Sequence, residues 1–127
     1  MFNLLVSGSG WAEDRDTVPS GRAFEYTDES LVARFKPKGK FDFAAVIQLP
    51  ALFMEESSLA KNQVARVGRI LSAKENGREI VLEYVYDQTI PPLINATIES
   101  FSQELDLGEW EFTRTHWAIK DVDLFRA

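Results

Sequence analysis

Residues 64–86 have the sequence VARVGRILSAKENGREIVLEYVY, and this stretch decides the fold. Both halves are rich in β-branched and aromatic residues, which predicts strands over 64–73 and 78–86. Asn76-Gly77 lies between the two strands, and this dipeptide is typical of a two-residue type I′ turn. Such a loop sets two pairs of opposite charge across from each other: Glu75 with Arg78, and Lys74 with Glu79. The stretch therefore predicts a β-hairpin with a defined register.

This register also gives the hairpin one apolar face. The predicted face consists of Val67, Leu71, Ala73, Ile80, Leu82, Tyr84 and Tyr86. A slip of one residue would turn the whole set of one strand to the opposite face. The apolar face therefore predicts a core on one side of the sheet.

Upstream of the hairpin, the patterns predict further strands over residues 2–6, 22–26, 31–36 and 41–47. In the third of these, Leu31, Ala33 and Phe35 recur at every second position, which is the period of a strand. Residues 11–21 are polar and contain turn formers, so we expect irregular structure there. Pro50 suits the first position of a helix and predicts a short helical turn over 50–54.

Downstream of the hairpin, the pattern predicts a long amphipathic helix over residues 90–106. Ile94, Ile98, Phe101 and Leu105 recur at spacings of four, three and four. Thr89 would cap the start of this helix and Gly108 would end it. A short strand over 109–113 and a C-terminal helix from residue 115 complete the prediction.

Together these elements predict an α+β fold with a curved, mostly antiparallel sheet of six to seven strands. The long helix would pack on the open face of the sheet, which could also curve towards a barrel. The chain has 127 residues, 45% hydrophobic and 27% charged, as an ordinary single domain does. We therefore expect one domain over residues 1–127, which could also be the N-terminal domain of a longer protein.

Composition limits the classes of function. The formal net charge is -6, which argues against a dedicated nucleic-acid binder. The chain has no cysteine, which excludes disulfides and thiolate chemistry and suits a reducing compartment. We find no secretion signal and no apolar run that could span a membrane, so we expect a cytoplasmic protein.

Motifs for catalysis are weak. Ser7-Gly8-Ser9-Gly10 follows a strand, but Glu13 occupies the place of the third glycine of a dinucleotide fingerprint. His116 is the only histidine and a weak candidate for acid–base chemistry, because no recognisable nucleophile or metal motif accompanies it. Asp121 and Asp123 would point to different sides of a helix. We therefore expect no catalytic residue, no cofactor and no metal.

The charge pattern is more informative than any motif. Residues 34–40 and 57–74 are basic without an acidic residue, whereas eight acidic residues and no basic one lie between Arg78 and Arg114. Segregation of the two sets on separate faces would steer a charged partner, but the fold could also interleave them. Trp11 lies among polar residues, which is typical of an exposed anchor for a partner or of a lid over a groove. It could also fold back on the sheet.

Three hypotheses follow. The first is a non-catalytic binding or accessory module that holds a protein partner or a neighbouring domain. The second is a small-ligand-binding barrel or small enzyme, with His116 and nearby arginines on an anionic ligand. The third is single-stranded nucleic-acid binding through the basic loop around residues 36–40. The candidate binding residues are Trp11, Arg66, Arg69, Arg114, Leu124 and Phe125.

Overall fold

The computed structural model describes residues 1–12, 14–56 and 63–125, and Lys61 of the second basic stretch lies outside them. Seven strands are present within these ranges: β1 (Phe2–Ser7), β2 (Arg15–Pro19), β3 (Pro50–Glu55), β4 (Val64–Asn76), β5 (Glu79–Tyr86), β6 (Leu93–Ile94) and β7 (His116–Lys120). The α-helices are α1 (Glu29–Phe35), α2 (Phe43–Val46) and α3 (Asn95–Ser100). Short 3₁₀ helices cover Ser20–Arg22, Pro37–Gly39 and Glu109–Thr113.

The strands form one sheet in the order β2-β5-β4-β3-β1-β7, and β6 pairs with the start of β4. Only β1 and β3 run parallel among the described strands, and the other pairs are antiparallel. The prediction of an α+β fold with a mostly antiparallel sheet is confirmed. The sheet is open, with β2 and β7 as its end strands, so the barrel-like closure is not formed.

Both faces of the sheet are covered, which gives a three-layer arrangement. All six residues of β1 are buried, because alternate side chains point into two different cores. Leu5 packs with α1 and α2 on one face, while Leu4 and Val6 pack with α3 and the segment 101–113 on the other. A strand buried on both faces has no solvent-facing side, so its sequence lacks the alternation of a half-buried strand.

The strands predicted over residues 22–26, 31–36 and 41–47 are wrong. Leu31 and Phe35 are buried on one side of α1, four residues apart, whereas Ala33 between them is exposed. Apolar residues at i, i+2 and i+4 fit a strand, but the pair at i and i+4 also fits a helix. In α2, the Asp42 carboxylate accepts a hydrogen bond from the Ala45 N–H and caps the helix.

Two further upstream predictions are also wrong. Residues 50–54 form most of β3 instead of a helical turn, because this strand lies between β1 and β4 and is buried on both faces. Residues 11–21 are not wholly irregular, since β2 pairs with β5 at the edge of the sheet. Pro19 ends β2, at the edge position where a missing N–H is tolerated.

The predicted hairpin is confirmed, but its register differs by two residues. Asn76 pairs with Glu79, so the loop is Gly77-Arg78 instead of Asn76-Gly77. Gly77 has φ +63° at the first loop position, as a type II′ turn requires. A β-bulge between Ile70 and Ser72 changes the phase of β4.

The bulge alters the predicted apolar face. Ile70 is buried opposite Tyr84, while Leu71 is 56% exposed. Ile80, Leu82 and Tyr84 share the core that α1 and α2 cover, as expected of one face. Val67 lies before the bulge and faces the other core. The sequence carries no local signal of this change of phase.

The long helix over residues 90–106 is not formed. Only α3 is helical, and the chain then turns so that the Leu107 N–H bonds the Ser102 carbonyl at 2.8 Å, with Asp106 at φ +59°. Ile98 and Leu105 are buried but Phe101 is 43% exposed, so the apolar residues do not share one face.

The last two elements were also predicted wrongly. Residues 109–113 form a 3₁₀ helix, and its Trp110 and Phe112 side chains differ in exposure. The short C-terminal helix is replaced by β7, which pairs with β1 and is buried at all five positions. The segment 23–27 protects the outer edge of β7. In it, the Phe24 N–H donates to the Trp117 carbonyl and the Thr27 hydroxyl accepts from the Ile119 N–H.

Candidate functional site

The six candidate binding residues fall in three places on the fold. Trp11 and Arg66 share one groove. Arg69, Leu124 and Phe125 line two adjoining cavities at the end of the hairpin away from its turn. Arg114 lies near the opposite end strand of the sheet, close to His116.

Trp11 folds back over the sheet and forms one wall of a groove. Gly10, at φ +78°, redirects the chain after β1, and the Trp11 Nε1 donates to the Met54 carbonyl at 2.9 Å. The indole meets the rings of Phe53 and Tyr84 edge to face, with centroids 5.6 and 5.9 Å apart. Trp11 is therefore fixed in place, with part of its ring facing the groove.

Arg66 forms the opposite wall of this groove. It projects from β4 opposite Phe53, is exposed, and its guanidinium lies 5.2 Å from the centre of the Tyr86 ring. Burial raises the pKa of the Tyr86 hydroxyl, and the charge of Arg66 opposes that shift. Two adjoining cavities of about 570 and 140 Å³ make up the groove.

Arg69 and Phe125 line a cavity of about 450 Å³ on the other face of the hairpin. Phe125 is 63% exposed and Val85 beside it is 47% exposed. A second cavity of about 200 Å³ lies under Phe101, Leu124 and Phe125, and its lining is almost wholly apolar. Leu124 is half-buried against the core on this face.

These cavities adjoin one another around the end of the hairpin. Tyr86 and Val85 line both the Trp11 groove and the Arg69 cavity. Phe125 lines both the Arg69 cavity and the apolar cavity under Phe101. We call the resulting patch the hairpin surface: Trp11, Arg66, Arg69, Val85, Tyr86, Phe101, Leu124 and Phe125. It includes five of the six predicted binding residues.

Gly68 allows the two strands under this surface to approach closely. A Cβ at this position would lie 2.3 Å from the Val85 carbonyl oxygen and 3.0 Å from the Tyr86 Cα. Neither atom belongs to a side chain that could rotate away, so only glycine fits without moving the strands.

His116 is fully buried in a network of charged groups behind β7. Its Nδ1 lies 2.6 Å from the Arg114 carbonyl oxygen, and its Nε2 lies 3.1 Å from Glu111 Oε1. Both ring nitrogens therefore have a hydrogen-bond partner within the fold. The ring therefore has no free nitrogen for a ligand.

Glu111 is the centre of this network. Its Oε2 accepts from Lys120 Nζ at 3.0 Å and from the Gly108 N–H at 2.7 Å, and Lys120 also donates to the Tyr26 carbonyl at 2.8 Å. Burial acts to raise the pKa of Glu111, but the hydrogen bonds from His116 and Gly108 and the charge of Lys120 lower it overall. One buried carboxylate thus faces both the Lys120 ammonium and the His116 ring.

Arg114 is held by a two-point ion pair with Glu25. Its Nε and Nη2 each lie 2.8 Å from one carboxylate oxygen. These bonds lower the pKa of the Glu25 carboxyl and raise that of the Arg114 guanidinium. Arg114 therefore has a fixed position although its side chain is partly exposed.

The other candidate motifs of the sequence provide no support for a binding site. The backbone N–H of Gly8 donates to Thr115 Oγ1, and the Glu55 and Glu56 carboxylates lie beside the Ser7–Gly10 turn, an arrangement that disfavours a phosphate. Among the described residues, no cluster of three or more acidic or histidine side chains could hold a metal ion. Asp121 and Asp123 are exposed after β7.

The basic loop around residues 36–40 does not present its aromatic rings to solvent. Phe35 is buried in the core, and Phe41 stacks on Phe43 with centroids 5.0 Å apart. Lys36 lies 4.4 Å above the Phe41 ring. At the edge of the sheet, Arg15 of β2 lies opposite Glu83 of the acidic region.

Sequence reasoning missed several residues of these sites. Val85, Phe101 and Trp110 are exposed because of tertiary packing, which the local sequence pattern does not reveal. Glu111 and Lys120 have no motif spacing with His116. Their meeting depends on the 3₁₀ helix and β7 lying side by side.

Comparison of the chain with protein-family models, with curated proteins and with solved structures found no match. In residues 1–12, 14–56 and 63–125, no helix is both long enough and apolar enough to span a membrane.

Proposed function

We propose that the chain is a non-catalytic binding module that holds a partner polypeptide on the hairpin surface. The observation that carries the proposal is the continuity of that surface, which joins five of the six predicted binding residues around one end of the hairpin. A partner that lies across it would contact both faces of the β4–β5 hairpin at once.

The residue types on this surface support a protein interface. Trp, Tyr and Arg dominate the energetics of interfaces, and Trp11, Tyr86, Arg66 and Arg69 supply all three types. The apolar cavity under Phe101 and Phe125 has room for one bulky apolar side chain. Burial of such a side chain contributes roughly 1.5–3 kcal/mol.

The two arginines indicate the chemistry of the partner. Within the described residues, neither Arg66 nor Arg69 forms an ion pair. A guanidinium that is desolvated at an interface needs an acceptor, and a carboxylate is the best-matched one. We therefore expect the partner to present a leucine or phenylalanine side chain close to an aspartate or glutamate.

The position of His116 favours binding over acid–base catalysis. Its ring is fully buried and both nitrogens are occupied, so it is not placed to exchange a proton with a ligand on the surface. The proposal therefore assigns His116 a role in the fold.

The proposal is tested by comparing the proteins bound by three forms of the chain. Phe125→Ser combined with Arg69→Glu changes the surface at two exposed positions, and Leu71→Ser changes an exposed apolar residue outside it. Quantitative mass spectrometry of co-purified proteins compares both variants with the parent. We expect a protein that binds the parent and Leu71→Ser but is lost with the double variant.

Two outcomes contradict the proposal. One is a set of bound proteins that is the same for all three forms, and the other is the absence of any protein enriched by the parent over a tag-only control. Circular dichroism of each variant checks that the fold is retained.

A further inference from the structure

A further cavity, of about 700 Å³, lies away from the hairpin surface. It opens at the edge of the sheet where β1 and β3 end and β7 begins. Its lining residues come from three separate segments: Pro19, Arg22, Tyr26, Glu56, Trp110, Thr113, Arg114 and Thr115. We call it the Trp110 cleft, and it shares no residue with the hairpin surface. Its volume is in the range of small-molecule sites, and the carboxyl ends of parallel strands are a common location for them.

Trp110 provides an exposed aromatic face at the rim of this cleft. Its side chain is 71% exposed, the highest value among the large apolar residues of the described chain. Phe112, two residues further on, is buried in the core and anchors the 3₁₀ helix. Trp110 is thereby displayed from an anchored turn, where a planar ligand could stack on it.

Two arginines line the same cleft and retain unused donors. Arg114 uses Nε and Nη2 for Glu25, which leaves Nη1 without a partner among the described residues. Arg22 uses Nη1 for the Thr115 carbonyl at 3.1 Å, which likewise leaves its Nε and Nη2. Arginine N–H groups fixed in this way are suited to an anionic group, above all a phosphate.

Glu56 supplies an acceptor in the same cleft. One of its carboxylate oxygens accepts a hydrogen bond from the Thr115 hydroxyl, which in turn accepts from the Gly8 N–H at 2.9 Å. The other oxygen has no partner among the described residues. A free carboxylate oxygen selects a ligand that carries an N–H donor and disfavours one that offers only an acceptor.

The walls of the cleft are held in a fixed and strained shape. Phe24 and Tyr26 have φ of +64° and +53°, a conformation that non-glycine residues seldom adopt. Such positions cluster at functional sites, where the surrounding structure enforces them. Contacts from β7 hold both positions, because Lys120 donates to the Tyr26 carbonyl and the Phe24 N–H donates to the Trp117 carbonyl.

We propose that the Trp110 cleft binds a nucleoside monophosphate whose base carries an amino group. The base stacks on Trp110, the phosphate binds the free donors of Arg22 and Arg114, and the base amino group donates to Glu56. This site does not depend on the proposed protein-binding function, and either can fail without the other.

Intrinsic fluorescence and calorimetry test the proposal with AMP as the probe. The other two tryptophans are less exposed than Trp110, so stacking should quench mainly the Trp110 emission. We expect saturable AMP binding, weakened about tenfold or more for adenosine, which lacks the phosphate, and for UMP, whose base lacks the amino group. Trp110→Leu should abolish the binding measured by calorimetry and leave the fold intact, because its side chain is exposed.

Further variants assign the remaining contacts. Arg22→Gln should weaken AMP binding about tenfold, and Glu56→Gln should remove the preference for AMP over UMP. Arg34→Gln changes an exposed arginine of α1 outside the cleft, and this variant should bind AMP as the parent does. Absence of saturable AMP binding at millimolar concentration, or binding that Trp110→Leu leaves unchanged, would overturn the proposal.

Discussion

Replacement of Glu111 by glutamine tests the buried network in its most sensitive position. Glu111→Gln preserves the shape of the side chain and one acceptor oxygen but removes the negative charge that faces Lys120 and His116. Both side chains are buried, and their other hydrogen-bond acceptors among the described residues are backbone carbonyls. Removal of one partner of a buried ion pair costs about 3–5 kcal/mol.

This cost is a large fraction of the stability of a domain, which is about 5–15 kcal/mol. Urea denaturation followed by tryptophan fluorescence measures it, because Trp117 is fully buried in the core of the folded chain. We expect a lower midpoint with an unchanged dependence on denaturant. Glu109→Gln is the matched control, since Glu109 lies in the same 3₁₀ helix but is exposed.

The same variant has a defined effect on pH dependence. The pKa of Glu111 is lowered in the folded chain, so its stabilising contribution is complete above the unfolded pKa of a glutamate, about 4.3, and is lost at lower pH. The parent should therefore lose stability on acidification through this range, and Glu111→Gln should lose less. A free energy of unfolding for Glu111→Gln within about 0.5 kcal/mol of the parent value at neutral pH would contradict a stabilising role of the buried Glu111 carboxylate.

Two other predictions concern the hairpin. Gly68→Ala should destabilise the chain by about 1–3 kcal/mol in thermal or urea unfolding, because the added Cβ meets the Val85 carbonyl at 2.3 Å. A neutral Gly68→Ala would contradict the close approach of the strands. Ile70→Ala should cost about 2–5 kcal/mol, whereas Leu71→Ala should change stability by less than about 0.5 kcal/mol, because the bulge exposes Leu71. Equal losses for the two alanine variants would argue against the bulge.

The elements predicted correctly are those with local signals. β1 and the hairpin have β-rich composition, and a glycine-containing dipeptide marks the turn between β4 and β5. The register was missed by two residues because Gly77 alone supplies the positive φ, and Asn76 joins the strand. A bulge such as the one next to Leu71 depends on cross-strand packing, which the sequence of one strand does not reveal.

The errors arise where the sheet is buried on both sides. β3 and β7 lack alternation because both of their faces are covered, so their apolar runs also fit helices. In α1, Leu31 and Phe35 satisfy the period of a strand as well as that of a helix. Choosing between the two requires knowledge of which face is covered, and that is a property of the whole fold.

The candidate site was predicted in part for similar reasons. Trp11 and Arg66 stood out as an isolated aromatic residue and a basic residue on a strand, and the fold brings them into one groove. Arg69 and Phe125 likewise share a cavity. Trp110 lies in the segment predicted as a short strand over 109–113, and the 3₁₀ helix that forms there has no clear mark in the sequence.

Photo-crosslinking from the hairpin surface tests the proposed binding function most directly. A benzophenone amino acid replaces Val85, which lies at the centre of the surface, or Leu71, which is equally exposed outside it. We expect a distinct crosslinked protein from the Val85 position, and the same product should be lost with Arg69→Glu. The absence of a product from Val85, or the same product from Leu71, would contradict the assignment of the hairpin surface as a binding site.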